Sequence, residues 1–359
     1  MPQAGNQHDP DRSGNRFLRQ IFAFYAVGAL FAATACIFWF ASDALLLLFA
    51  SILFAILLDR ASRILQRRLH LPRWLALAAV IFLLLLLLGG GGWLLAPSVT
   101  RQSRELMTTV PQALHQLRTT LEHYDLLRAA LDQAPATPQL MSKLGVLAPK
   151  AGTFFSGALG VVGNAVIIFF VGAYFAAQPH LYIDGLILLV PHRGRQHARK
   201  VLEEIGDALA GWLAGKLVQM LVAGVAVTAG LLLLGVPLAV VLGIIAGLLD
   251  FIPYLGPIAA SLPAILIGFA QSPTLGLYVT LLFVGIHVLD GYVVLPLVEK
   301  RTVSLPPALT IFMQVLLGFL FGFGGVALAS PLAAVALVLV TMLYVRDTLG
   351  DAVRTPAEK

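Results

Sequence analysis

The hydrophobic pattern of this chain runs in long unbroken stretches rather than alternating or following a single helical stripe. Phe17 to Phe40, Trp74 to Ala96, Thr153 to Ala177 and Leu213 to Leu234 each exceed the ~17 residues that cross about 30 Å of hydrocarbon at ~1.5 Å per residue. Ala44 to Leu58 is shorter and predicts either a thin span or one arm of a shallow hairpin with the first run. Leu181 to Val190 is too short to cross, which predicts an interfacial or re-entrant segment.

Two stretches change character. Between Pro97 and Lys150, Leu106, Val110, Leu114, Leu117, Leu121 and Leu131 recur at helical spacing among Arg, Gln, Glu and His, until Ala134 to Pro138 breaks the pattern. This predicts a small extracytoplasmic amphipathic helical region, either a packed or solvated helix pair or a subunit contact of coiled-coil type. Ala198, Leu202, Ile205, Leu209 and Trp212 form a second stripe, on an amphipathic helix expected to run straight into the span that follows.

The second half repeats a pattern. A full span, Trp212 to Leu234, precedes the overlong run Val236 to Ala270, broken at DFIPYLGP; another span, Leu275 to Val298, precedes Ala308 to Tyr344, broken at Gly322 to Gly325 with Pro331 beyond. As straight helices the broken runs would measure roughly 50 Å, far more than a bilayer needs. Each is therefore expected to be two half-length helices. The predicted fold is an all-α polytopic membrane protein of about eight membrane segments, with two re-entrant helical hairpins in an inverted repeat. Its parts would be a polar N-terminus (1–16), N-terminal spans (17–96), the amphipathic region (97–150), a span (151–177), an amphipathic linker (178–211), repeat 1 (212–270), repeat 2 (274–345) and a tail (346–359).

Composition narrows the class: of 359 residues, 59% are hydrophobic and only 12% charged, which excludes an ordinary soluble domain. The net charge of +6 does not point to nucleic acid, because Lys and Arg gather at the ends of apolar runs. The densest group, Arg60, Arg63, Arg67, Arg68 and Arg73, marks the cytoplasmic side and places the N-terminus there. Drawing both broken runs as hairpins keeps Lys300 and Arg301 on that same side, whereas crossing moves them out. Cys36 is the sole cysteine, so no internal disulfide forms.

Candidate chemistry concentrates in the second half. Between Leu213 and Val298 the acids are Asp250 and Asp290, the histidine is His287 and the base is Lys216. Ionisable groups at membrane depth are costly and mark solute or ion paths. Asp250 precedes the knot containing Pro253, Tyr254, Gly256 and Pro257, where it would either cap amides at a hairpin tip or join loosened carbonyls in binding a cation or proton. His287 and Asp290 are three apart, on one helical face, suited to proton exchange or to a structural pair. Tyr254 and Tyr292 fit a polar solute or an interface, and Lys216 is expected to snorkel to headgroups. The second break offers Gly322, Gly324, Gly325 and Pro331. No hydrolase elbow, zinc-protease or phosphate-loop motif is present, so neither an enzyme nor a catalytic or metal site is expected.

DFIPYLGP (Asp250 to Pro257) resembles the signature of the autoinducer-2 exporter family, a group of bacterial permeases also described as PerM-like. GVP at Gly235 to Pro237, LDGYVVLPLV at Leu289 to Val298 and FGFGGVALASPLAA at Phe321 to Ala334 follow the same pattern. The likeness spans about Thr153 to Tyr344 and departs at Gln178 to His180, where members commonly carry a Lys-Asp pair, and at Asp290, where many carry a Glu or another polar residue nearby. It implies a multi-pass transporter of the bacterial inner membrane, oligomeric, without fixing the substrate; the expected activity is export of a small polar metabolite or signal molecule, autoinducer-2-like, coupled to a proton or sodium gradient, with no cofactor beyond a transported Na+ or H+. Its partners would be the lipid bilayer, that solute and further copies of itself. A passive oligomeric channel, a sodium/proton antiporter and an envelope scaffold acting through Pro97 to Lys150 are the alternatives.

Overall fold

The computed structural model describes residues 41–91, 93, 102, 105, 112, 151–299 and 305–351. Contacts divide the chain after Leu46, and only residues 41–46 of the first unit are described. The expectations for the polar N-terminus, the run Phe17 to Phe40 and almost all of the amphipathic region lie outside the described residues.

Helix α1 (Ser42–Leu69) is longer than its apolar run implied, because Asp59 and Arg63 pair one turn apart at 2.7 Å and no Gly or Pro interrupts the polar extension. It ends where His70 adopts a left-handed φ of 53° and Pro72 follows. Helix α2 (Arg73–Gly91) returns, and α3 (Ala151–Ala177) packs with both through Ala55, Leu58, Leu77 and Ala176. Gln178 leaves the helical region and Pro179 starts α4 (Pro179–Leu188), bent 82° from the preceding residues 162–177. The short apolar run is thus set off sharply from its neighbour.

After a 3-10 turn at His192–Gly194, α5 (Arg195–Leu233) runs unbroken for 39 residues, joining the amphipathic stripe to the span as the pattern predicted. Gly235 closes it with φ 69°, a conformation glycine adopts freely, and Val236 N–H bonds back to the Leu231 carbonyl. Two short helices follow, α6 (Ala239–Leu249) and α7 (Leu255–Gln271), then α8 (Pro273–Leu289), whose first turn is capped when the Ser272 hydroxyl accepts from Leu275 N–H. A π-helical turn at Asp290–Val294 continues it to Leu295–Glu299. Pro296 lacks an N–H and would clash one turn back, which accounts for the widened turn. Helix α9 (Pro307–Leu339) ends in a second π segment, Val340–Arg346.

The main core joins Ala239, Leu242 and Ala246 of α6 to Ala260, Ala264 and Ile267 of α7, with Val227 and Leu231 of α5 and Val279 and Phe283 of α8. Close approach of α5 and α6 depends on glycine: a methyl on Gly247 would lie 2.9 Å from the Met220 carbonyl, and one on Gly243 would overlap Thr228. Five described helices are long and apolar enough to cross a membrane, six if the bent α3–α4 pair is one span. Many large apolar side chains point outward, Phe82 and Phe319 among them. Such a surface suits lipid rather than water.

One of those five, Pro307–Arg346, does not run straight. Gly322, with φ 61° and ψ −145°, reverses it, and a methyl on Gly325 would overlap the Leu317 carbonyl oxygen. Residues eight apart in a straight helix are separated by about 12 Å. The segments 307–321 and 323–339 therefore form a tight helical hairpin. The α6–α7 pair does likewise, since a methyl on Gly256 would overlap the Leu249 carbonyl. Both broken runs fold back on themselves at the Pro/Gly positions.

Candidate functional site

The tip of the α6–α7 hairpin is strained. Tyr254 has φ 63° and ψ −55°, and Leu255 N–H donates to the Pro253 carbonyl at 2.7 Å across it, closing a three-residue turn that is rare for a side-chain-bearing residue. The Gly256 N–H bonds to the Ile252 carbonyl at 3.0 Å, and Pro257 occupies the first turn of α7, where a missing N–H does no harm. The Pro253 carbonyl also accepts from Gln314 Nε2 at 2.8 Å. Gln314 lies on the ascending arm of the second hairpin and is 2% exposed, so the hairpins meet through a buried amide.

Just before that turn, Asp250 ends α6 and pairs with Lys216 of α5 at 3.1 Å. Their side chains are 5% and 6% exposed, and Lys216 Nζ also donates to Gln219 Oε1 at 3.4 Å. The glycine-lined descent of α6 along α5, from Gly243 beside Gly224 to Gly247 beside Met220, carries Asp250 to the level of Lys216. Trp212, one turn before Lys216, and Phe251, next to Asp250, make an edge-to-face contact at 5.7 Å. Burial makes such a pair sensitive: losing one partner leaves a desolvated charge, at a cost of about 3–5 kcal/mol.

Asp290 opens the π turn of α8, and its carboxylate is within electrostatic reach of Asp250, Lys216 and His287. Of the four ionisable groups that the sequence isolates between Leu213 and Val298, Lys216 and Asp250 are in direct contact, with half-buried Asp290 in electrostatic range of this cluster and His287 at its exposed edge. The cluster sets two acids against one lysine and one histidine. It can attract a cation or exchange a proton.

The remaining candidates separate into support and periphery. Gly322 and Gly325 shape the second hairpin, Gly324 lies between them, and Pro331 is buried in its descending arm beside Ser330, whose hydroxyl has no partner among the described residues. His287 and Tyr292 face outward from α8. Tyr254 is partly exposed at the strained turn. Among the described residues no three His, Cys, Asp or Glu side chains converge as metal ligands.

Two assignments change. Lys216 does not snorkel to the surface; it is buried on Asp250. Gln219 and Gln314 escaped notice, although Gln314 is the sole amide in the run Ala308 to Tyr344 and was open to the same suspicion as a charge in an apolar helix.

A family profile described as AI-2E family transporter matches residues 29–344. YueF of Bacillus subtilis (strain 168), named provisionally as a transport protein, is 26% identical over 301 residues, covering 80% of this chain and 81% of that protein. A protein of Thermotoga maritima with the same provisional description is 23% identical over 233 residues, covering 62% of this chain and 71% of its own. PerM of Escherichia coli (strain K12), named provisionally as a permease, is 27% identical over 143 residues, 39% of this chain and 40% of that one. The profile spans the hairpins and the charge cluster alike, and the chain belongs to the AI-2E transporter family as a multi-pass membrane protein.

Proposed function

We propose that this chain is a secondary transporter of the bacterial inner membrane that exports a small polar metabolite or signal molecule, coupled to a proton or sodium gradient. The observation that carries the reading is the buried Lys216–Asp250 pair beside a strained, proline-interrupted hairpin tip. A buried charge pair stabilises a fold poorly compared with apolar packing, and backbone irregularity within a membrane is tolerated where protein buries it or where it lines a water-filled cavity. Binding of a cation or proton by Asp250 and Asp290 would release Lys216 and let the first hairpin move against α5.

The two hairpins are read as re-entrant from opposite faces, the inverted arrangement found in many secondary transporters. The N-terminus is then cytoplasmic, and copies of the chain assemble as an oligomer. Single cysteines at Ser272 and Thr302 in a Cys36→Ala background should label from opposite sides of the membrane; labelling from one side rejects that topology.

The coupling reading is tested in proteoliposomes with radioactive sodium and an enclosed pH-sensitive dye. Asp250→Asn should abolish gradient-driven movement of the ion. The double variant Lys216→Met/Asp250→Asn removes the charges together and should fold as well as the native protein while remaining uncoupled. Native flux in the double variant would reduce the pair to architecture.

A further inference from the structure

A second concentration of charge lies well away from the hairpins, where the basic end of α1 meets the starts of α2 and α4. A cavity of about 660 Å³ there is lined by Arg63, Gln66, Arg67, His70, Arg73 and His180. Two guanidiniums share one carboxylate: Asp59 takes Arg63 at 2.7 Å and Arg73 at 3.3 Å. Arg73 is further held by the Ala176 carbonyl at 3.4 Å. Among the described residues, the Arg67, His70 and His180 side chains bond to nothing. The cavity therefore holds an uncompensated positive charge with donors that remain unused.

Two of the three helix ends bordering it add to that field. Arg73 begins α2 and His180 lies in the first turn of α4, so both helices present their positive dipole ends there. Oriented N–H groups, guanidiniums and imidazoles together fit a phosphate better than a carboxylate, because phosphate offers more acceptor oxygens at fixed separation.

Beside the cavity, Ile64, Leu69 and Trp74 are exposed. An inorganic phosphate would fill the basic cavity and leave this apolar rim bare. A phosphate ester carrying acyl chains would cover both, and tryptophan is favoured at that depth of a bilayer. We infer that the cavity is a binding site for the phosphodiester headgroup of an anionic phospholipid, with Arg67 as its principal donor. The site makes no use of the Lys216–Asp250 cluster and stands whether or not that cluster couples transport.

The test uses the full-length protein in a neutral detergent, with short-chain phosphatidylglycerol and inorganic phosphate as separate probes. Lipid retention is read by native mass spectrometry and thermal stability in parallel. Phosphatidylglycerol should bind and raise Tm, whereas inorganic phosphate at equal concentration should not. Arg67→Gln, which breaks no described contact, should weaken retention about fivefold; Arg67→Gln/His180→Gln should weaken it more, and Arg67→Lys should restore part. Equal effects of the two probes would overturn the lipid assignment. Retention unchanged in the double variant, or absent from the native protein, would overturn the site.

Discussion

The two hairpins solve one geometric problem with different materials. The second reverses at Gly322 with φ 61° and ψ −145°, a conformation essentially reserved for glycine, and its turn contains no ionisable group. The first reverses through Asp250 to Gly256, where a tyrosine takes the positive φ and a buried ion pair stands at the threshold. A glycine turn would have been the cheaper construction. That the first tip carries strain and charge instead argues that its chemistry, not only its shape, is used.

The largest expected effect breaks this contrast at its charged side. Asp250→Asn or Lys216→Met alone should lower stability by about 3–5 kcal/mol, because each strands a desolvated partner, while the double replacement should recover most of the loss. Thermal unfolding in detergent reads all three. If single and double variants unfold alike, the pair is not buried as described.

Backbone space ranks next and applies to both tips. Gly256→Ala places a methyl on the Leu249 carbonyl, and Gly325→Ala places one on the Leu317 carbonyl. Neither obstacle can swing aside as a side chain would, so each should cost at least about 1–3 kcal/mol. Gly322→Ala meets no neighbour and suffers from its dihedral angles alone, for about 1–3 kcal/mol. A tolerated Gly325→Ala beside a damaging Gly322→Ala would mean that the arms of the second hairpin stand further apart than their close contact implies.

Gln314→Leu is expected to do less. It removes the 2.8 Å bond to the Pro253 carbonyl, but that oxygen keeps its bond from Leu255 N–H, so no acceptor is left bare. The loss should be about 1 kcal/mol. Its signature is local: amide exchange should speed up at Leu255 and Gly256 and remain unchanged at Gly325. Faster exchange at both tips would show one cooperative unit rather than two hairpins joined by a single amide.

The sequence made the breaks legible because Pro253, Gly256 and Gly322 disrupt helices for reasons intrinsic to their own backbones. The long helix α5 was legible for the converse reason, an amphipathic stripe passing into an apolar run without a stop signal. What the sequence concealed was pairing across distance. Lys216 meets a carboxylate 34 positions away, and Gln314 meets a carbonyl 61 positions away. A lysine one turn into a span looks the same from sequence whether it snorkels or is buried, since the choice depends on how close α6 can come. That closeness was encoded in Gly243 and Gly247, small residues four apart whose partner helix no local pattern identifies.

The finest distinction between the tips concerns Tyr254. If its positive φ is a defect tolerated for the sake of the side chain, Tyr254→Gly should relieve about 1–3 kcal/mol of strain and lose part of that gain to the greater freedom of glycine in the unfolded chain, about 0.5–1 kcal/mol. A small net rise in Tm is expected, making the first tip resemble the second. Transport decides what the strain is for. A variant more stable yet slower in ion flux would show that the tyrosine at this turn serves the transport cycle, whereas a variant more stable and equally active would leave the Lys216–Asp250 pair as the difference between the hairpins that matters to function.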